Sequence, residues 1–446
     1  MAGKSVVLLD GTGPGDDDLR VARQVLLEVL NNGGAEVWTF TLREMKLAHC
    51  LGCFNCWIKT PGMCVESDEG REVAKAVIRS DATVFFTPVT FGGYSADLKK
   101  IVDHFVQLIS PFFALEHGEM HHPPRYEQQP SLMVVGVQRQ ARPAEARIFR
   151  TLAGRNAINL HPSSYAAEVV HAKDDEQTLR TQFQELLTRE DALPYGEAAG
   201  SIMPPPVLAG AVMEAGAHRR ALLIVGSPKT NEPSTSGVLG TFLLERLDRH
   251  GWEVETLTLR AKLNRPDGQK ELLDALEHAG LVVLAFPLYA DALPYLVTKA
   301  LTVIASRRHR EQTGWRKRFV AIVNSGFPET HQNAVALAIC REFAAQCGFS
   351  WAGGLAFGAG GMIGGQRLTK VHRPGPPVRH VVTALEMTAA ALAEGRPVPP
   401  ESLRMIERKA PFFNRFYALM ASRSFRKLAE KNGITKEQLM ARPYAG

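Results

Sequence analysis

The feature that most constrains this chain is a pattern written twice. Short apolar runs alternate with amphipathic helical stretches over about residues 4–190, and the same order returns over 219–395. In the first copy "SVVLLDG", "AEVWTFTL", "ATVFFTPV", "SLMVVGV" and "YAAEVVHA" read as strands, with helical periodicity in the segments between them. The second copy runs from "RALLIVGSP" to "VVTALEMTAAALAEG". Between them, residues 195–218 are rich in Gly, Pro and Ala and break all periodicity, as a linker does. Buried apolar strands separated by amphipathic helices imply a parallel sheet covered on both faces. The chain therefore predicts two α/β domains, 1–194 and 219–396, each a doubly wound five-stranded parallel sheet with its ligand loops beyond the carboxyl ends of the strands. At 446 residues it is also too long for one core.

Charge excludes a nucleic-acid binder. Residues 401–446 hold ten Lys or Arg against four acids, which accounts for the whole net charge of +6. The rest is neutral, whereas a nucleic-acid protein shows a basic groove within its fold. We expect a basic C-terminal tail over 397–446, helical around "PFFNRFYALMASRSFRKLAEKNG", that packs on its own or a second subunit in preference to a membrane or an acidic partner. The start, "MAGKSVVLLDGTG", is too short an apolar run for a signal peptide or a transmembrane segment. A cytoplasmic protein is expected, where clustered cysteines read as metal ligands or redox groups.

The loops after the strands are where ligand chemistry belongs. "GSPKTNEPSTSG", residues 226–237, opens a helix and carries the hydroxyls of Ser227, Ser234, Thr235 and Ser236 beside Lys229. Such a loop holds a phosphate or is simply an N-cap and polar turn. Its counterpart "GTGPGDDDL", residues 11–19, fails the dinucleotide spacing, and Asp16, Asp17 and Asp18 repel a phosphate; they read as an N-cap and first-turn charges. If one copy grips a phosphate, it is the second. After the third strands, "TPVTFGGYSADLKK" and "FPLYADALPYLVTK" correspond, each a proline-ended strand, a short loop and a helix, suited to the face and edge of a flat heterocycle.

These residues resemble the NAD(P)H-dependent FMN reductase branch of the flavodoxin-like superfamily, present as a tandem repeat, and "CLGCFNC" with a later cysteine resembles the cysteine segment of the iron-sulfur flavoproteins in that branch. The resemblance implies two flavodoxin-like sheets, FMN as cofactor and NAD(P)H as donor. It implies that Ser227, Lys229, Ser234, Thr235 and Ser236 hold the FMN phosphate. Pro287, Leu288, Tyr289 and Ala290 would line the isoalloxazine, with Asn324, Ser325 and Gly326 on the neighbouring loop. In the first copy Pro88, Val89, Thr90, Phe91, Gly92 and Gly93 match the family's flavin loop. Family members commonly dimerise, so a homodimer or a pseudo-dimer within one chain is implied. The expected activity passes electrons from NAD(P)H through FMN to a small-molecule acceptor such as a quinone or a flavin. The alternative is an iron-sulfur flavoprotein acting as an electron carrier or redox sensor with a protein partner. Such chemistry lives on the cofactor, so no acid-base or nucleophile set need be visible.

Four of the six cysteines, Cys50, Cys53, Cys56 and Cys64, lie within fifteen residues. Their spacing suits a [4Fe–4S] cluster, a tetrahedral zinc, or unligated thiols beside the flavin. Cys340 and Cys347 lie seven apart on one apolar helical face and read as core. "EHGEMHHPPRY", residues 116–126, reads as a partly ordered surface loop near the cofactor edge, in preference to a metal site. The glycines of "GGLAFGAGGMIGG", residues 353–365, mark a close approach to a ligand, a lid, or plain turn geometry.

Overall fold

The computed structural model describes residues 2–196, 202, 219–229, 233–263, 265, 267–311, 317–368, 376–407 and 413–445, so the linker expected over 195–218 lies almost wholly outside the described residues. The chain forms two compact units. Met1–Ala198 with Arg415–Gly446 make the first, and Ala199–Asn414 the second.

In the first unit the strands are β1 (Ser5–Asp10), β2 (Glu36–Thr41), β3 (Ala82–Pro88), β4 (Ala114–Glu116), β5 (Glu119–His121), β6 (Ser131–Gln138) and β7 (Tyr165–His171). Its helices are α1 (Arg20–Asn32), α2 (Asn55–Ile58), α3 (Gly70–Arg79), α4 (Ala96–Val102), α5 (Pro143–Leu160) and α6 (Glu176–Leu186). The main sheet has the order β2-β1-β3-β6-β7, all parallel, with Val6 beside both Val37 and Ala82. Every residue of β3 is buried, as a central strand covered on both faces requires. On one face Val6, Leu8, Val84 and Phe86 pack with Ala22, Val25, Leu26 and Val29 of α1 and Leu179 and Phe183 of α6. Each such side chain contributes roughly 1.5–3 kcal/mol by leaving water.

The second unit repeats the plan with β8 (Arg220–Val225), β9 (Glu253–Thr258), β10 (Leu281–Pro287), β11 (Arg318–Asn324) and β12 (Ser350–Phe357). The order is β12-β11-β10-β8-β9, again all parallel. Its helices are α7 (Thr235–Arg249), α8 (Leu259–Leu263), α9 (Gly268–His278), α10 (Tyr295–Glu311), α11 (Ala334–Gln346), α12 (Pro376–Ala393) and α13 (Pro400–Glu407). Both units are thus five-stranded flavodoxin-like α/β sheets, with the order reversing between β1 and β3 and between β8 and β10.

The structure departs from the sequence reading in three places. The helix expected over "SADLKKIVDHFVQLI" is α-helical only to Val102 and tightens into a 3-10 turn over Asp103–Leu108. Residues 114–121 form an antiparallel hairpin, β4–β5, closed by His117 and Gly118 at φ 47° and 85°, the left-handed pair of a type I′ turn. The tail over 397–446 is not one body. Leu403 and Ile406 of α13 pack against the core of the second unit, whereas α14 (Phe413–Lys431) lies, from Arg415 on, with the first unit, as does α15 (Lys436–Leu439). The reason is specific hydrogen bonding: the fully buried Arg125 donates to the Leu439 and Ala441 carbonyls at 2.9 Å, and Tyr444 Oη donates to Gln107 Oε1 at 3.1 Å.

Candidate functional site

In the second unit three loops meet beyond the carboxyl ends of β8, β10 and β11. The chain leaves β8 at Gly226, whose N–H bonds the Ala285 carbonyl at 2.8 Å; a Cβ there would stand 2.3 Å from Val297 Cγ2, so only glycine fits. Ser227 follows, 4% exposed, and then the exposed Lys229. Ser234 is the N-cap of α7: its Oγ accepts the Gly237 N–H at 3.0 Å and stands 3.3 Å from Ser236 Oγ. Thr235 turns elsewhere, donating its hydroxyl to the Gly360 carbonyl at 3.1 Å.

That bond joins the helix end to the glycine loop, and the loop to β11. The Gly360 N–H bonds the Ser325 carbonyl at 2.9 Å, and a Cβ on Gly360 would lie 2.9 Å from Asn324 Nδ2, so the glycine lets the loop pack closely on the end of β11. Ser325 Oγ donates to the Phe327 carbonyl at 3.0 Å and accepts from Asn333 Nδ2 at 3.2 Å. Asn324 is 8% exposed, and its Oδ1 has no hydrogen-bond partner among the described residues. An acceptor left unmade costs roughly 1–3 kcal/mol, and this one stands at the end of β11 where a ligand N–H would satisfy it.

The loop after β10 is tied in by Leu288, whose N–H bonds the Asn324 carbonyl at 2.8 Å. Tyr289 and Ala292 then exchange both backbone bonds at 3.0 Å around Ala290 and Asp291, at φ 44° and 58°. This is a type I′ turn without glycine, and an alanine held there stores on the order of 1 kcal/mol of strain. Of the second unit's twelve candidate residues, hydrogen bonds link Thr235, Ser325, Asn324 and Leu288, Ser234 and Ser236 share the helix end, Pro287, Tyr289 and Ala290 lie on the turn after β10, and Ser227, Lys229 and Gly326 border the same loops. The Lys229 N–H meets Ser227 Oγ at 3.4 Å, so this N–H, like that of Gly237, faces a hydroxyl. Hydroxyls, a lysine, a positive helix end and an unpaired carbonyl oxygen together fit the phosphate and polar rim of FMN.

The first unit has the same turn after its third strand. Thr90 and Gly93 exchange bonds at 2.9 and 2.7 Å around Phe91 and Gly92, at φ 54° and 87°, and the Val89 N–H bonds the Val137 carbonyl at 3.0 Å. Pro88, Phe91, Gly92 and Gly93 are buried, with Val89 and Thr90 partly so. Its anion seat is another matter. Asp10, fully buried at the end of β1, pairs with Arg23 at 2.5 Å, and Asp16 Oδ2 accepts the Gly13 N–H at 2.6 Å. Asp16 stands at the N-cap of a 3-10 turn but makes no cap bond, so the N-cap reading holds for position and not for bonding. Arg139 grips Asp16 and Asp18 at 2.6 and 2.8 Å, and those contacts, that to Asp18 foremost, raise its own pKa. The protein's own carboxylate occupies the place a phosphate would take, and the residues here do not fit FMN.

The cysteine segment is held under the C-terminal end of the chain. Cys56 lies buried in α2, Cys53 is exposed, and Cys50 and Cys64 are half-buried. The Gly62 N–H bonds the Cys56 carbonyl at 2.8 Å, the Cys64 N–H bonds Gln107 Oε1 at 2.8 Å, and Trp57 Nε1 donates to the Val106 carbonyl at 2.9 Å. Burial pushes the Cys50, Cys56 and Cys64 thiols up; Asp103 adds to this at Cys50, and the neighbouring Cys64 and Cys53 add to it at Cys56. Among the described residues no three His, Cys, Asp or Glu stand together as ligands for one ion. The thiols as folded therefore lend no support to a [4Fe–4S] cluster or to zinc at this segment. Cys340 and Cys347 are buried, and burial raises the Cys347 thiol to about 12.

The histidine-rich stretch is no surface loop. His121 is fully buried, with Nε2 3.0 Å from Glu119 Oε2 and Nδ1 3.0 Å from Asn159 Oδ1, and Arg155 NH1 donates to the same Glu119 oxygen at 2.5 Å. His122 packs between the Trp57 and Phe113 rings at 4.7 and 4.5 Å, and burial depresses its pKa to about 4. The two-residue turn His117-Gly118 was the signal, obscured by the polar letters on either side.

Comparison with known proteins adds to this geometry. Residues 15–171 match the NADPH-dependent FMN reductase family, and residues 219–364 match the family of the flavodoxin-like fold. Over 77 residues the chain is 34% identical to the iron-sulfur flavoprotein of Archaeoglobus fulgidus, and 34% and 35% identical to two iron-sulfur flavoproteins of Methanocaldococcus jannaschii. Each match covers 17% of this chain and 34–39% of those proteins, so the chain spans little more than a third of the curated relatives it matches. Among solved structures, NAD(P)H:quinone oxidoreductase from Methanothermobacter marburgensis aligns 100% of its length with 43% of this chain, at 14% identity and TM-score 0.34. An FMN-dependent NADH-azoreductase from Bacillus anthracis str. Ames Ancestor aligns 99% of its length with 39%, at 16% identity and TM-score 0.29.

Proposed function

For a chain that joins a domain of the NADPH-dependent FMN reductase family to a second flavodoxin-like domain, we propose an FMN-dependent oxidoreductase with one flavin site, in the second unit. Its reaction moves electrons from NAD(P)H to a small-molecule acceptor such as a quinone or a free flavin. The observation that carries the assignment is the contrast between the two anion seats. In the first unit the Asp16 carboxylate accepts the Gly13 N–H, whereas in the second the Lys229 and Gly237 N–H groups meet the hydroxyls of Ser227 and Ser234, and Asn324 Oδ1 has no hydrogen-bond partner among the described residues.

FMN, when bound, supplies the capacity to take a hydride and release electrons singly or in pairs. The chain supplies position. Ser227, Ser234 and Ser236 offer hydroxyls and Lys229 a positive charge to the phosphate, at the end of α7 where the helix dipole favours an anion. Thr235 acts one step back, bracing the glycine loop. Pro287, Leu288, Tyr289 and Ala290 form the turn that would hold the ring, and Asn324 would offer its carbonyl oxygen to one of its N–H groups, with Ser325 and Gly326 on the same loop. In the first unit the turn from Pro88 to Gly93 persists without a phosphate seat.

Anaerobic purification followed by an absorption spectrum and steady-state assays tests this reading. Flavin bands and sustained NAD(P)H oxidation with a quinone or free flavin are expected. Colourless protein that binds no added FMN would overturn it. A second reading, an electron carrier serving a protein partner, draws support from the iron-sulfur flavoproteins matched above. Reduction by ferredoxin alone, with iron and sulfide in the purified chain, would favour it.

A further inference from the structure

Helix α14 is amphipathic in an unusual sense: one side is fastened to the first unit, and the other is apolar along its first half and basic along its second. Tyr417 and Phe425 meet the Phe113 ring at 6.2 Å, Phe425 also meets Trp57 at 5.1 Å, Ser422 Oγ accepts the Phe113 N–H at 3.1 Å, and Ala429 is fully buried. The opposite side carries Phe416, Leu419 and Met420, which are 64%, 50% and 48% exposed. Spaced i, i+3, i+4, they form a single apolar patch. On the same side, further along, lie the exposed Arg423, Lys427 and Lys431, none with an ion-pair partner among the described residues. Arg426 sets its guanidinium 5.9 Å from the Phe112 ring.

We propose that this face of α14 docks the protein onto an anionic lipid bilayer. An exposed Phe, Leu and Met on one turn lose their contact with water if they enter the acyl boundary, and the following basic side chains then lie at headgroup level. Complementary charge selects this occupant. A second copy meeting the same face would bring its own Arg423, Lys427 and Lys431 to the contact, and the two basic faces repel. A nucleic acid would satisfy the cations and leave the apolar turn in water. The helix crosses no membrane; among the described residues none is long and apolar enough to do so. The docking surface stands apart from the flavin reading and survives its failure.

The full chain should co-float with vesicles of phosphatidylglycerol mixed into phosphatidylcholine and not with phosphatidylcholine alone. Arg423→Gln with Lys427→Gln should lower binding on the order of 30-fold, at roughly fivefold per basic side chain near an anionic surface. Phe416→Ser with Leu419→Ser and Met420→Ser should abolish insertion, read as loss of binding that persists at high salt. All five positions are exposed, so an unchanged thermal melt separates docking from folding. Absence of binding to anionic vesicles, equal binding to neutral ones, or binding unmoved by both variants would overturn the proposal. So would a wild-type dimer that the Phe416, Leu419 and Met420 substitutions convert to monomer, because that result assigns the face to a second copy.

Discussion

Ser234→Asp isolates what the phosphate seat is for. Ser234 holds two roles, since its Oγ caps α7 through the Gly237 N–H and its hydroxyl faces the proposed phosphate. Aspartate caps a helix as well as serine does, so the variant should melt within about 0.5 kcal/mol of the parent. Its carboxylate, however, recreates in the second unit what Asp16 does in the first, filling the seat and repelling an anion. Ser234→Ala is the complement, losing the cap for about 1 kcal/mol. It also loses a hydrogen bond to a charged group, for about 1.5–3 kcal/mol of FMN affinity, roughly 10- to 150-fold. FMN titration by fluorescence quenching, beside urea melts of the apoprotein, reads both quantities. The expected order is a stable Asp variant with the weaker flavin binding and a less stable Ala variant with intermediate binding. Undiminished FMN binding by Ser234→Asp would refute the reasoning.

Three further outcomes follow from local chemistry. Ala290→Gly should raise stability by up to about 1 kcal/mol by relieving a residue at φ 44°, measured by urea denaturation; a loss would show that the turn carries no strain. Burial depresses His122 to about 4 from its ordinary 6.5, so its neutral form is the folded one. The stability it contributes is present above about 6.5 and lost as pH falls toward 4, about 3 kcal/mol in all. Melts across that window should steepen with acid in the wild type and less so in His122→Gln. Cys53, exposed, should be alkylated by iodoacetamide in the native protein well before the buried Cys56, as read by peptide mass mapping; equal rates would contradict the burial described here.

Periodicity made most of the fold legible. The inner strands of both sheets are apolar β-branched runs, and burial on both faces leaves no alternative partner for Val84 or Leu284. What the letters hid were elements decided by non-local bonds. The β4–β5 hairpin is polar in composition because Glu119, His121 and Arg155 satisfy one another inside the unit. The fate of the C-terminal residues turns on Arg125, some 300 positions earlier in the chain, and no local pattern announces that. In the candidate site the acidic run after Gly15 did signal an anion seat unlike the other. That Thr235 braces the glycine loop, and that Asn324 has an unpaired oxygen, needed coordinates.

The flavin content of the purified, FMN-saturated chain tests the central claim most directly. One FMN per chain is expected, retained by the wild type and by Asp16→Ala, and lost from Ser234→Asp. Two flavins per chain, none, or a single flavin that survives Ser234→Asp would contradict the assignment of the site to the second unit.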